Sequence, residues 1–344
     1  RHSQVISFCL SQTFDLAVVS FQLVHAVTSA PALFFHSFNS VHIDLHADEL
    51  SDDFLIPHVA HKQGALVSLM NKSFQKELAR RVGMNVSEGS ICYYVENAYQ
   101  IPDTITYPCF TKPLDSATGH LKQYQQRCNS GAELNDLLAS VAKSYQGPIL
   151  VETYHPIDKE LAVLGVSLGE KSIIPAIIQM DYGWYGVMGT GKVSPIPSDL
   201  QEKLKAFMKG TALTGLFDID LYVSDGKIYF NELNLRYGAN GFALTHFGIN
   251  LPKLLIEHLV EKSLTTDSYE RISDSFSFAN EFQLQNMYFA RQLNICRYKQ
   301  LIKNSDVCSL VFNGDKKPRI MFQLIEWLMP FRLLSNRLKR FYCE

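Results

Sequence analysis

The sequence predicts a mixed α/β fold of the α+β kind, and three observations carry that prediction. Short apolar runs with period-two alternation recur along the chain, as half-buried strands require. Between them stand segments whose apolar residues repeat at helical spacing. Finally, GLFDIDLYV, SDGK and IYFNELNLR read together as a β-hairpin, because an Asp-Gly turn between two alternating runs is a strong short-range hairpin signal.

The elements follow in order. Within the first 70 residues VISFCL, DLAVVSF and ALFFHSF read as strands of a small α/β unit, too short for a complete Rossmann-like domain. NKSFQKELARRVG (71–83) reads as a helix with Phe74, Leu78 and Val82 at helical spacing and Gly83 ending it. Strands then run to PCFTKP, followed by a loop (LDSATGH), a polar strand (LKQYQQRC) and a helix opened by Ser130. ILVETYHP and ELAVLGVSL are β-rich. A helix over Ser198 to Lys209, with Ser198 and Asp199 as its caps, precedes the hairpin, and NLPKLLIEHLVEK is an amphipathic helix after it. The domain reading is a partial N-terminal α/β domain over 1–70, a small subdomain over 71–148, a second subdomain over 149–265 carrying the hairpin, and a C-terminal extension over 266–344.

Composition sets limits. A chain of 344 residues is long enough for two or three domains. With 47% hydrophobic and 19% charged residues and a formal net charge of -2, no global field favours nucleic acid. Cys9, Cys92, Cys109, Cys128, Cys296, Cys308 and Cys343 are odd in number and never form a CxxC pair, which fits reduced thiols in a cytoplasmic protein. No apolar run reaches the roughly 18 residues that span a bilayer. The chain begins with Arg1, so an incomplete N-terminus is expected.

The hairpin concentrates the chemistry. Alternation puts Asp218 and Asp220 on one face of its first strand and Glu232 and Asn234 on one face of the second, so Asp220 comes opposite or near Glu232. The face is either a solvated sheet surface or a set of converging oxygen ligands. Arg236 and the glycine-rich RYGANG turn follow at once, and a cation beside paired carboxylates suits a magnesium-nucleotide site.

FDIDLYVSDGKIYFNELNLR resembles the metal-binding hairpin of the ATP-grasp superfamily, in which an acidic residue on one strand precedes Glu-x-Asn on the next. The resemblance implies an ATP-grasp fold, with two α+β subdomains sandwiching ATP. It implies that Asp220, Glu232 and Asn234 hold two Mg2+ ions, for which Mn2+ substitutes, and that Arg236 neutralises charge on the transferring phosphoryl group. Upstream, Lys72 and Lys112 match the family's two phosphate-contacting lysines, Lys112 with a part in catalysis. Ser116, Thr118 and Gly119 of the DSATGH loop match its phosphate loop, although family loops are richer in glycine and serine. In ILVETYHPIDKE the backbone of Thr153, Tyr154 and His155 would pair with the adenine edge, Glu152 would neighbour its amino group, and Glu160 would take the ribose hydroxyls.

Within the superfamily the hairpin is most similar to the D-aspartate ligase type, which adds D-aspartate to a peptidoglycan precursor. The implied activity is an ATP- and magnesium-dependent ligase joining a small-molecule carboxylate to an amine through an acyl-phosphate. A ligase making a soluble dipeptide or capsule-linked amide, and a non-catalytic nucleotide-binding module, are the alternatives; the full set Asp220, Glu232, Asn234 and Arg236 speaks against the last. Tyr237, Asn240 and His246 could line an acceptor pocket. His42, Asp44 and His46 in VHIDLHADEL share one face if that segment is a strand, and His58 and His61 form a second pair; both read more readily as polar surface than as metal ligands. The tail from Lys316 to Glu344 interleaves basic and large apolar residues. It reads as a helix packed on the core or as a basic amphipathic segment resting peripherally on the inner membrane face. No oligomeric state is implied.

Overall fold

The computed structural model describes residues 30–31, 43–50, 54–115, 124–184, 187–261, 272–311, 317 and 319–320. Ser116, Thr118 and Gly119, and all of the tail from Lys316 except residues 317, 319 and 320, lie outside the described residues. Among the described residues no helix is long and apolar enough to cross a membrane.

In chain order the first elements are β1 (Ala30–Pro31), α1 (Ala47–Leu50), β2 (Phe54–Leu55), β3 (His58–Val59), α2 (Ala65–Leu69) and α3 (Lys72–Arg81). β1 pairs with β2 in parallel. Among the described residues of VHIDLHADEL, Ile43 and Asp44 form a helical turn that leads into α1, not a strand. Asp44 is 1% exposed; its Oδ2 accepts the Leu66 N–H at 2.8 Å and so caps α2, whose own Gly64 has no side chain to do so. That is a structural role.

Next come β4 (Asn85–Val86), β5 (Gly89–Val95), β6 (Ala98–Gln100), β7 (Cys109–Pro113), β8 (Arg127–Cys128), α4 (Gly131–Val141) and β9 (Ile149–Thr153). Strands β6-β5-β9-β7-β8 form an antiparallel five-stranded sheet. β9 therefore belongs to the small sheet, and the boundary expected at residue 148 falls inside it. Leu134, Leu137, Leu138 and Val141 of α4 pack with Cys92, Cys109, Cys128, Ile149 and Val151 beneath this sheet. Ser130 caps α4 as expected, its hydroxyl accepting the Glu133 N–H at 3.3 Å. The described cysteines are free thiols, with Cys92, Cys109 and Cys128 buried.

The chain continues through β10 (Lys159–Leu168), β11 (Ser172–Ile173), β12 (Ile177–Trp184), β13 (Val187–Ser194), α5 (Ser198–Thr211), β14 (Leu213–Ser224), β15 (Lys227–Asn234), α6 (Gly241–His246), α7 (Leu251–Glu261), β16 (Phe276–Ala279), α8 (Glu281–Phe289), α9 (Ile295–Lys303) and β17 (Val307–Cys308). It divides into two compact units. The first takes Arg1–Gln179, Ser194–Gly241 and Ile249–Ser273, and the second Met180–Val193, Phe242–Gly248 and Asp274–Glu344.

In the first unit β10 pairs antiparallel with β14 along its whole length, β14 with β15, and β15 in parallel with β4. Phe207, Phe217, Ile219, Phe230 and Leu233, each at most 1% exposed, form the centre of its core. α5 starts at Ser198, but its N-cap is Pro197 with no side-chain cap hydrogen bond, so neither Ser198 nor Asp199 caps it. In the second unit β13 pairs antiparallel with β16, and β16 in parallel with β17. Leu284, Met287 and Leu293 pack with Ala279 there, and Glu281, 1% exposed, pairs with Arg319. The described residues from 274 onward share the second unit with two earlier segments.

Candidate active site

The hairpin forms as its turn chemistry requires. Asp225 and Gly226 both take positive φ, 49° and 72°, the conformation that a two-residue turn needs to match strand twist. Across it Asp220 pairs with Glu232 and Asp218 with Asn234. The four side chains proposed from alternation are thus brought together. Asn234 Nδ2 donates to Asp220 Oδ2 at 3.0 Å, and Arg236 Nη1 lies 3.5 Å from Asp218 Oδ2. Gly238 completes the corner, because a Cβ there would sit 2.8 Å from Asp218 Oδ2 and 2.4 Å from Leu164 Cδ2.

A bulge adds what alternation alone does not predict. Register shifts between Asp220 and Leu221, so that Leu221 faces Phe230 and Asn231 is the extra residue. Phe230 and Leu233 both lie in the core although they are three apart, a spacing that a regular strand cannot place on one face. The bulge absorbs the mismatch, and Asn231 Oδ1 accepts from Lys112 Nζ at 3.1 Å.

Electrostatics on this face are lopsided. Burial raises the Asp218 carboxyl to about 6, against Arg236 and with help from Glu232. Asp220 is held well above the ordinary carboxylate range, first by burial and then by Asp218 and Glu232. Asp218 Oδ1 is buried and has no hydrogen-bond partner among the described residues. Glu232 is met by Lys72, whose Nζ lies 3.3 Å from Oε2. Burial lowers the Lys72 ammonium, with Glu232 working against it.

Lys72 stands on α3, and this helix buries an unexpected stripe. Lys72, Gln75, Lys76 and Ala79 face inward at i, i+3, i+4 and i+7, while Phe74 is 44% exposed. Asn71 caps the helix by accepting the Phe74 N–H at 3.1 Å. Lys76 pairs with Glu152, whose other oxygen is 2.6 Å from Lys112 Nζ. Burial alone would raise the Glu152 carboxyl, but Lys112 and Lys76 outweigh it and the group lies below its usual range. Lys76 is pushed down to about 8, chiefly by burial and then by Lys112.

The hinge is narrower than expected. Thr153 N–H donates to Glu88 O at 2.8 Å and Tyr154 N–H to Pro108 O at 3.0 Å, so both extend the small sheet and neither is open to a ligand. The Thr153 carbonyl and the His155 N–H follow at the end of β9, one acceptor and one donor. Beside them the His155 ring lies 4.7 Å from that of Tyr229, which stacks on Tyr222 at 5.2 Å. Glu160 pairs across the sheet with Tyr222, and burial raises its carboxyl.

Of the acceptor candidates, Tyr237 and Asn240 belong to the first unit and His246 to the second. The Tyr237 ring closes over the RYGANG turn, since a Cβ on Gly241 would come 2.0 Å from its Cζ. The His58 and His61 rings lie 3.7 Å apart, tilted by 31°, and His58 is pushed down to about 4 by burial, with His61 and His258 acting in the same sense. Among the described residues no three His, Cys, Asp or Glu side chains close on a metal ion by themselves. Sequence reasoning missed Lys76, Gln75 and Asn231; only the Phe230 to Leu233 phase break could have revealed the last.

No protein-family model matches the chain. Among curated proteins it is similar to the formate-dependent phosphoribosylglycinamide formyltransferase of Sulfurovum sp. (strain NBC37-1), 26% identical over 184 residues that make up 52% of this chain and 47% of the relative. The chain spans about half the length of the curated relatives it matches. Among solved structures it resembles the biotin carboxylase of Campylobacter jejuni in its β-γ-ATP complex, with TM-score 0.60, 16% identity, and 76% of this chain and 60% of that one covered. The D-alanine–D-alanine ligase of Bacillus anthracis complexed with ATP gives TM-score 0.54 and 16% identity over 75% of this chain and 85% of that one. The chain has the ATP-grasp fold.

Proposed function

We propose that the chain is an ATP- and magnesium-dependent ligase that joins a carboxylate to an amine through an acyl-phosphate. One observation carries the reading: the hairpin register that pairs Asp218 with Asn234 and Asp220 with Glu232, with Arg236 and Lys72 as its attached cations.

The residues fit a magnesium ion. All the donors are hard oxygens, and the buried Asp218 Oδ1 is an acceptor without a hydrogen-bond partner among the described residues. Asp220, Glu232 and Asn234 would hold the metal beside Asp218, and phosphate and water oxygens would complete its coordination. When bound, magnesium neutralises charge on the phosphate oxygens.

The rest of the chemistry is the chain's own. Lys72 and Lys112 direct two ammonium groups at the phosphates, and Arg236 is the cation next to the transferring phosphoryl group. The Thr153 carbonyl and His155 N–H offer the acceptor and donor that an adenine edge requires. Glu152 holds Lys112 in place, and Glu160 takes the ribose hydroxyls. A carboxylate oxygen attacks the γ-phosphorus and ADP departs; the amine then attacks the acyl carbon and expels phosphate.

Two substrate readings have separate support. The hairpin's likeness to the D-aspartate ligase type favours an amino-acid carboxylate such as D-aspartate, joined to the amine of a wall precursor. Similarity to a formate-dependent formyltransferase favours formate. Phosphate release with ATP and magnesium, measured across formate, D-aspartate and other amino acids with a panel of amines, tests both. Release with one carboxylate and one amine class identifies the reaction, and absence of any carboxylate-dependent release would overturn the ligase reading.

A further inference from the structure

Gln75 makes hydrogen bonds that its helix does not need. Its side chain is 1% exposed and stands on the inward stripe of α3 between Lys72 and Lys76. Its Nε2 donates to the Leu233 carbonyl at 2.9 Å, and its Oε1 accepts the Leu233 N–H at 2.8 Å. Nε2 also donates to the Leu69 carbonyl, where α2 ends. An amide that gives one donor and one acceptor to a single residue reproduces what a neighbouring β-strand would supply.

Among the described residues no strand supplies such a neighbour at that point. β4 borders β15 only at Tyr229 and Phe230, so Leu233 lies beyond the end of β4. Its backbone is buried there, and unpaired peptide groups would cost about 1–3 kcal/mol each. Leu233 also separates Glu232 from Asn234, the two site residues of β15.

The geometry points to Gln75 as a positioning residue, a side-chain substitute for a missing strand that sets Glu232 and Asn234 against the helix carrying Lys72. It has two anchors on the strand and one on the preceding helix end, so rotation of α3 and sliding of β15 both break hydrogen bonds. The Lys72–Glu232 contact at 3.3 Å depends on that alignment. Its effect on turnover rests on the ligase reading; its effect on the backbone does not.

Two substitutions test it. Gln75→Met keeps length and apolar volume but removes the amide. Gln75→Glu places a carboxyl among carbonyl oxygens, where burial keeps it protonated, so one donor and one acceptor remain for Leu233. In Gln75→Met the magnesium-dependent part of ATP affinity, read by calorimetry with and without the metal, weakens about 10–100-fold, the usual cost of losing a supporting hydrogen bond behind a metal ligand. Metal-free ATP affinity stays unchanged, and the Leu233 amide exchanges faster in the ligand-free protein. Gln75→Glu restores both properties most of the way. Wild-type magnesium dependence together with undiminished Leu233 protection in Gln75→Met would overturn the proposal. If Gln75→Met does not fold, Gln75→Glu decides alone: native-like Leu233 protection supports the clamp, and fast exchange in a folded protein overturns it. A wild-type chain that binds ATP without regard to magnesium would overturn the ligase reading instead, while Leu233 exchange would still judge the clamp.

Discussion

The hairpin face and the surroundings of Glu152 carry opposite charge imbalances. On the hairpin Asp218, Asp220 and Glu232 face two cations, Arg236 and Lys72. Around Glu152 the proportion is reversed, with Lys76 and Lys112 sharing one carboxylate. Burial makes both arrangements costly for the chain alone, which is why two hairpin carboxyls are displaced upward and Lys76 downward. The hairpin face is thus short of positive charge and the lysine pair short of negative charge. A magnesium-bound nucleotide supplies one of each.

The largest effect is expected at Glu152. Glu152→Gln leaves two buried ammonium groups with no counter-charge, and unfolding in denaturant should register a loss of about 3–5 kcal/mol. A variant as stable as the wild type would mean the lysines do not need it. On the hairpin, Glu232→Gln removes a ligand charge and keeps the shape. Carboxylate-dependent phosphate release should fall about 10²–10³-fold while the fold survives, the size of losing one group matched to developing charge. Near-normal release would remove Glu232 from the chemistry.

A smaller effect sharpens the other half. Lys112→Ala deletes a point charge on the phosphate side and should weaken ATP binding roughly tenfold, about 1.4 kcal/mol, without altering magnesium dependence. Unchanged ATP affinity would confine Lys112 to its pairing with Glu152 and Asn231. The smallest effect is a slope. The folded chain releases the Lys76 proton near pH 8, whereas the unfolded chain holds it to its ordinary value of 10.5, so between those limits the unfolded state binds more protons. Through this group stability rises with pH across that window, by at most about 1.4 kcal/mol per unit. Denaturation midpoints followed from pH 8 to 10.5 should show a shallower rise in Lys76→Met than in the wild type, and identical slopes would refute the shift.

The hairpin was legible because its information is local: an Asp-Gly turn, strict alternation on the first strand, and acids that alternation puts side by side. α3 was legible as a helix, but its most deeply buried residues were not. Of its spaced apolar residues Phe74 is exposed while Leu78 and Val82 are partly buried against the core, and the fully buried stripe is Lys72, Gln75, Lys76 and Ala79, because partners distant in sequence, Glu232, Leu233 and Glu152, satisfy its polar groups. A polar helix face carries no sign of whether water or protein will meet it. The same limit applies to the hinge, where the Thr153 and Tyr154 N–H groups are consumed by sheet pairing that no side chain announces. Asp44 was illegible for a similar reason. Its spacing with two histidines says nothing of the distant helix start whose N–H its carboxylate accepts.

Whether the hairpin carboxylates take up a divalent cation together with the nucleotide is decided by calorimetric titration of the wild-type chain with ATP in magnesium and again in excess EDTA. Binding should be at least about tenfold tighter with the metal, a difference of about 1.4 kcal/mol. Equal affinity under the two conditions would rule out uptake of the cation with ATP.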